Sequence, residues 1–154
     1  MPVAWRIVKA SYAASAFDGE GARETGGRWN SRGVPVVYAA GSVSLAILEV
    51  LVHTAAPDLL RAYVVVPAEI DEELVSRLEP TRLPSGWRRH PPPPQVQRTG
   101  DRWVAAGTSA VLAVPSVIVP RETNYLLNPS HPDFARLRIG PPEPLDLDAR
   151  LVGG

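Results

Sequence analysis

A glutamate stands in the middle of an apolar segment. The stretch "SVSLAILEVLVHTA", residues 42–55, carries Glu49 among Val, Leu, Ile and Ala. An ionised carboxylate is costly to bury alone. Glu49 has therefore either found a cation or hydrogen-bond donor, or it stands on the wall of a cavity. In the second case it could stabilise positive charge that develops during a reaction. At about 100° per residue, a helix here gathers Ser42, Glu49 and His53 on one narrow polar stripe. So apolar a helix is expected to show little of itself to water. The blander reading makes Glu49 and His53 a surface pair one turn apart.

Other polar groups carry a structural and a chemical reading side by side. "GGRWN" (26–30) sets Arg28 behind two glycines, where backbone can come close to a ligand. The planar guanidinium suits phosphates and carboxylates, though Arg28 would equally serve as a structural partner of Glu49. Trp29 is either a core anchor or a stacking platform. Tyr38 is either a core tyrosine whose hydroxyl needs a partner or one lip of a cleft. Late in the chain, "VPSVIVPRETNYLLNPSHPDF" (114–134) supplies Ser116, Asn124, Asn128, Ser130 and His131. Its "NPSHP" is a good turn sequence. There is no G-x-S-x-G elbow, Walker loop or dinucleotide fingerprint; "GEG" at 19–21 is none of these.

These groups must be held by short elements. "VAWRIVKA" (3–10) predicts a first strand with Arg6 among apolar neighbours, and 11–33 a long loop. "VPVVYAA" (34–40) predicts a strand covered on both faces. Ser42 is placed to cap the helix that follows. "RAYVVVPAEI" (61–70) is a further strand, and "DEELVSRL" (71–78) a helical turn or short helix. "HPPPP" (90–94) predicts an extended surface crossing, followed by a helix over 96–110 ended near Gly107. "VLAVPSVIVP", "TNYLLNP" and "EPLDLDARL" predict short closing strands. The expected fold is α+β, one compact domain (1–154) around a mixed β-sheet.

Bulk properties narrow the function. Sixteen basic and sixteen acidic residues cancel, which argues against a general nucleic-acid binder. No cysteine is present and the three histidines are scattered, so neither disulfides nor a metal site is expected. The apolar runs are short of a membrane span and no leader pattern is visible. The expectation is a cytoplasmic protein with no membrane partner.

The long motif "GGRWNSRGVPVVYAAGSVSLAILEVLVH" (26–53), the later "VPSVIVPRETNYLLNPSHPDF" and a terminal "PLDLDARL" together resemble the RES domain family. The resemblance runs from "WRIV" to the last few residues; only "HPPPP" is foreign to it. It implies a fold similar to ADP-ribosyltransferase toxins and a toxin neutralised by an Xre-like helix-turn-helix antitoxin. It further implies NAD+ as substrate rather than resident cofactor. Nicotinamide would be cleaved from ribose with water or phosphate as acceptor, or ADP-ribose passed to a target protein. Carried over by motif, the catalytic group is Arg28, Tyr38, Glu49 and Ser116, with Ser130 the alternative serine. Arg6, Trp29, Asn30, His53 and Asn128 would surround NAD+, Arg6 joining Arg28 on the pyrophosphate. Position 47, two before the glutamate, is Ile rather than a second acid, which favours a small-molecule acceptor. The loop at 11–27 would meet the antitoxin. If these residues serve a reaction, Arg28, Tyr38, Glu49 and Ser116 should share one concave site.

Overall fold

A computed structural model describes residues 1–53 and 62–152. In chain order its strands are β1 (Val3–Lys9), β2 (Val37–Ala40), β3 (Tyr63–Glu69), β4 (Val75–Arg77), β5 (Val111–Pro115), β6 (Thr123–Leu127), β7 (Arg138–Ile139) and β8 (Glu143–Pro144). The α-helices are α1 (Glu20–Thr25), α2 (Val43–His53) and α3 (Pro94–Ala106). All strands join one sheet in the order β4-β5-β6-β2-β1-β3-β7, with β8 also on β3. Only β4 and β5 run parallel; the other pairs are antiparallel. The α+β architecture with a mixed sheet is as the sequence predicts.

Strand alternation divides the core between two faces. One face carries Ala4, Val37, Ala39, Val66, Ala113, Tyr125 and Leu127, covered by Phe17 and Leu74 from short helical turns. The other carries Val36, Leu112, Val114 and Leu126 beneath Trp29 and the α3 residues Val96 and Trp103. Further along this second face, Ile7, Ala40 and Val65 receive Leu45 and Ala46 of α2. Burying these branched and aromatic side chains supplies the main drive for the fold.

Helix α2 starts as expected: the Ser42 hydroxyl accepts the Leu45 N–H at 3.1 Å, an N-cap bond. The segment 54–55, assigned above to its end, lies outside the described residues. Its burial is not as expected. Leu45 and Ala46 are its buried residues, while Leu48 and Val52 on the outer side are 39% and 59% exposed. The helix lies on one sheet face rather than between two layers, so an apolar surface remains in view.

Other expectations change in detail. The 11–33 stretch is largely organised, by a 3₁₀ helix at Ala10–Ser15 and by α1. "DEELVSRL" is a 3₁₀ turn (Glu72–Leu74) that passes directly into β4. Pro93 is extended, but Pro94 already opens α3, since a proline at the first helical position loses no needed donor. The same helix ends at Gly107 with φ 62°. "EPLDLDARL" contributes only the two residues of β8 before a 3₁₀ turn at Ala149–Val152, and "SVIV" is turn rather than strand.

Candidate active site

Glu49 projects from α2 toward the end of the β5–β6 hairpin. There Asn124 Nδ2 donates to its Oε1 at 2.7 Å and the Ser116 hydroxyl donates to the same oxygen at 3.2 Å. Asn124 sits on β6 opposite Val114 and Ala40, while Ser116 follows β5 directly. Ser116 is 0% exposed, and its hydroxyl also accepts the N–H groups of Ile118 and Val119, each at 3.1 Å. A serine hydroxyl has one proton and two lone pairs. All three are engaged, so Ser116 aims Glu49 and has no capacity left for a ligand in this arrangement. Ser130 is exposed beyond the other end of β6. Of the two serines, Ser116 is the one brought to the glutamate.

Arg28 does not form the structural ion pair with Glu49 that its sequence position allows: the ion pairs among the described residues contain neither residue. Its Nη1 donates to the carbonyls of Trp87 (2.9 Å) and Arg89 (2.6 Å). Both protons of one terminal nitrogen are thus spent on the 84–90 loop, and the Nε–Nη2 edge of the fork makes no hydrogen bond among the described residues. That edge is the bidentate one for phosphate or carboxylate. Burial holds the Arg28 guanidinium below its ordinary value, and the nearby charge of Glu49 opposes that fall. Arg28 and Glu49 are therefore close enough to feel one another, yet each keeps a free edge. The 84–90 loop is also tied to the Ser116 turn, through Arg88 Nε and the Val117 carbonyl at 3.0 Å.

Tyr38 organises the Arg28 loop. Its hydroxyl donates to Asn30 Oδ1 at 2.5 Å and accepts the Trp29 N–H at 3.0 Å. Burial pushes this phenol well above its usual value, so it stays neutral. The glycines before Arg28 make room for the protein itself rather than for a ligand. A Cβ at Gly27 would sit 2.7 Å from the Tyr38 hydroxyl and 2.9 Å from Asn30 Oδ1.

Several residues assigned to NAD+ are placed elsewhere. Trp29 is 2% exposed and packs in the core, tilted against Trp87 at 6.3 Å, so its ring supports the loop instead of facing a ligand. Asn30 is fully buried, with Nδ2 donating to the carbonyls of Ala22, Ser31 and Val34; it is a bracket for the loop. Asn128 lies at the far end of β6 from Asn124, roughly 13 Å away at strand rise. It binds the Val104 carbonyl and the Ser130 N–H. With His131, which contacts the Gly107 carbonyl at 2.9 Å, it clamps the end of α3. His53 is exposed one turn past Glu49.

Arg6 shares the sheet face of Ala4 and Val8, opposite the face that α2 covers. It is largely buried, and the carboxylate whose charge it feels is Asp18. Strands β1 and β2 share one register pair, Trp5 with Ala40. Beyond it Arg6 Nη1 donates to the Tyr38 carbonyl at 2.9 Å, and buried Arg6 Nε has no partner among the described residues. Its guanidinium replaces ladder bonds where the strands part, and does not join Arg28.

Asn124, in sequence only one of several polar residues of the late motif, joins the Glu49 site in the structure. Its Oδ1 is buried without a partner among the described residues. Nothing in a lone asparagine of "TNYLL" signals its role; only the pairing with Ala40 brings it beneath α2. A cavity of about 350 Å³ adjoins the site, lined by Trp87, Pro115, Arg121 and Thr123 among others. It and a second cavity of about 530 Å³ near Met1 and Glu72 are not lined by Glu49 or Arg28. Neither cavity is the shared concave site expected of Arg28, Tyr38, Glu49 and Ser116. Ser116 is buried and the Tyr38 hydroxyl is held by Asn30 and Trp29, while Glu49 stands half-buried at the surface with Ser116 and Asn124 at its carboxylate.

Residues 3–148 match the family model described as RES domain. The chain is 40% identical over 152 residues to "Toxin Res" of Photorhabdus laumondii, covering 97% of each chain. It is 43% identical over 153 residues to "Prs ADP-ribosylating toxin" of a Sphingobium species, covering 96% of this chain and 95% of that one. Among solved structures, it is similar to a chain of the M. tuberculosis MbcT–MbcA toxin–antitoxin complex. The TM-score is 0.75 at 22% identity, over 99% of this chain and 87% of that chain.

Proposed function

The chain belongs to the RES domain family, and from that membership and the Glu49 site we propose that it is a toxin that consumes NAD+. The C1′–N bond to nicotinamide breaks, its electron pair returns to the ring nitrogen, and nicotinamide leaves neutral without needing a general acid. The ribose passes through an oxocarbenium-like state, as in glycoside hydrolysis. The observation that carries this reading is a carboxylate fixed through one oxygen by Ser116 and Asn124, within the electrostatic reach of Arg28 but not paired with it. Oε2 of Glu49 stabilises the cationic sugar, and the unused edge of Arg28 takes the pyrophosphate. Tyr38 keeps the Arg28 loop in place.

Water or phosphate completes the reaction by adding oxygen to C1′ and releasing a proton. A second reading has a specific support: the Sphingobium relative, 43% identical, is named an ADP-ribosylating toxin, so a side chain of a target protein is the alternative acceptor. Against it, Ile47 occupies the position two before Glu49 and packs toward the core. The expected partner is an antitoxin of the Xre-like helix-turn-helix class; the likeness to the toxin–antitoxin complex is in keeping with such a partner. We assign no direct role to nucleic acid or membrane, and among the described residues no helix is long and apolar enough to cross one.

The experiment follows nicotinamide release from NAD+ by the purified protein, with and without phosphate, beside Glu49→Gln. Release lost in Glu49→Gln supports NAD+ cleavage, and dependence on phosphate selects phosphorolysis over hydrolysis. No release in either condition, with no labelled protein formed from labelled NAD+ in a cell extract, overturns the reading.

A further inference from the structure

We propose that Asn124 is a positioning residue that dedicates Oε1 of Glu49 to the protein, so that Oε2 alone meets the substrate. This rests on the NAD+ reading above and adds a residue to it. Asn124 Nδ2 makes the shorter of the two bonds to Oε1, 2.7 Å against 3.2 Å from Ser116. The two donors reach the same oxygen from the two arms of one hairpin. Oε2 accepts no hydrogen bond among the described residues. A carboxylate on a helix turns freely about its last bond. Two donors on one oxygen stop that rotation and make the oxygens inequivalent.

The orientation of the amide is set by the same contact. Oxygen and nitrogen of an asparagine are interchangeable in shape, and their assignment follows from the hydrogen-bond network. Turned over, Asn124 would set Oδ1 against Glu49 Oε1, two acceptors at hydrogen-bond distance. The nitrogen therefore faces the carboxylate, and Oδ1 is left buried without a partner among the described residues. An unpaired buried acceptor is destabilising in itself. A strand that needed only packing here would be better served by leucine or valine. The asparagine is accepted because Glu49 requires its donor.

Two measurements test this. In a ¹⁵N side-chain amide spectrum of the wild-type protein without NAD+, one Nδ2 proton of Asn124 is expected downfield, and Glu49→Gln is expected to shift it upfield. In nicotinamide release, Asn124→Ala removes the donor without adding a charge; kcat is expected to fall about 100-fold and KM to stay within about threefold. Asn124→Leu, apolar and of similar size, is expected to lose kcat likewise with its melting temperature maintained or raised. An amide resonance indifferent to Glu49→Gln, or a folded Asn124→Ala protein of normal kcat, overturns the proposal. The wild-type amide shift without any turnover would support the positioning contact and overturn the NAD+ reading alone.

Discussion

The Ser116 hydroxyl gives its single proton to Glu49 Oε1 at 3.2 Å while its lone pairs hold the N–H groups of Ile118 and Val119 at 3.1 Å each. The residue that opens the β5–β6 connection is thereby welded to a carboxylate 67 residues away in sequence. The turn gives the hydroxyl its direction, and the hydroxyl gives the carboxylate its own.

Ser116→Ala removes both consequences. It leaves two amide groups of the turn without their acceptor, costing about 1–2 kcal/mol of stability by urea unfolding. It also releases one side of Oε1. We expect kcat for nicotinamide release to fall about 10- to 100-fold with little change in KM, the pattern of an interaction used in the transition state. A large rise in KM at constant kcat would mean that Ser116 binds substrate directly.

Arg28→Lys separates the two jobs of the guanidinium. A lysine ammonium can satisfy one loop carbonyl but offers no side-on fork. The KM for NAD+ is expected to rise about 10-fold or more, the worth of one charge-assisted bond. Because lysine keeps the positive charge, increasing salt should weaken NAD+ binding by wild type and by Arg28→Lys to a similar degree. An unchanged KM would remove Arg28 from the pyrophosphate and leave it as the strut of the 84–90 loop.

The sequence disclosed some of this and hid the rest for identifiable reasons. Glu49 stood out because a charge in "LAILEVLV" has no neighbour in sequence to explain it, and the Ser42 cap follows a local rule that the structure obeys. Arg6 is carried to the pyrophosphate by motif alone, and alternation along one strand says which residues share a face but not which face carries a site; the structure sets its guanidinium against the Tyr38 carbonyl. Asn124 passed unassigned because its meaning lies in pairing with β2 and proximity to α2, neither of which is local. Asn30 and Asn128 look like binding residues in the motif for the same reason that they bracket loops: an amide both donates and accepts.

Tyr38 predicts a pH dependence. Its phenol is neutral and buried, with its pKa raised by burial above the ordinary value of about 10. A group raised in the folded state contributes stability that is fully present below the unfolded value and lost as pH rises toward the folded one. The melting temperature of the wild type is therefore expected to fall above about pH 10 partly through this residue. Tyr38→Phe is expected to be less stable by about 1–3 kcal/mol at pH 7, since Asn30 Oδ1 and the Trp29 N–H lose their partner. The gap between the two proteins should narrow above pH 10. A gap constant from pH 7 to 11 would show that the hydroxyl is not protected from ionisation.

Gly100 lies within α3, where replacing glycine by alanine ordinarily stabilises a helix by about 1 kcal/mol. Here the sign should reverse. A Cβ at Gly100 would run into the carbonyl oxygen of Trp29, and that obstacle is backbone, which cannot rotate away as a side chain does. The helix would have to lift from the Arg28 loop, opening the layer of Val96 and Trp103 over Trp29. Gly100→Ala is expected to lose about 3 kcal/mol or more in urea unfolding, in the range of overpacked cores. Because Gln97 Nε2 on the same helix donates to the Gly27 carbonyl at 2.9 Å, the displacement should also reach Arg28 and raise the KM for NAD+. A variant as stable as wild type would mean that α3 rides further from the Arg28 loop than the contact with Trp29 implies.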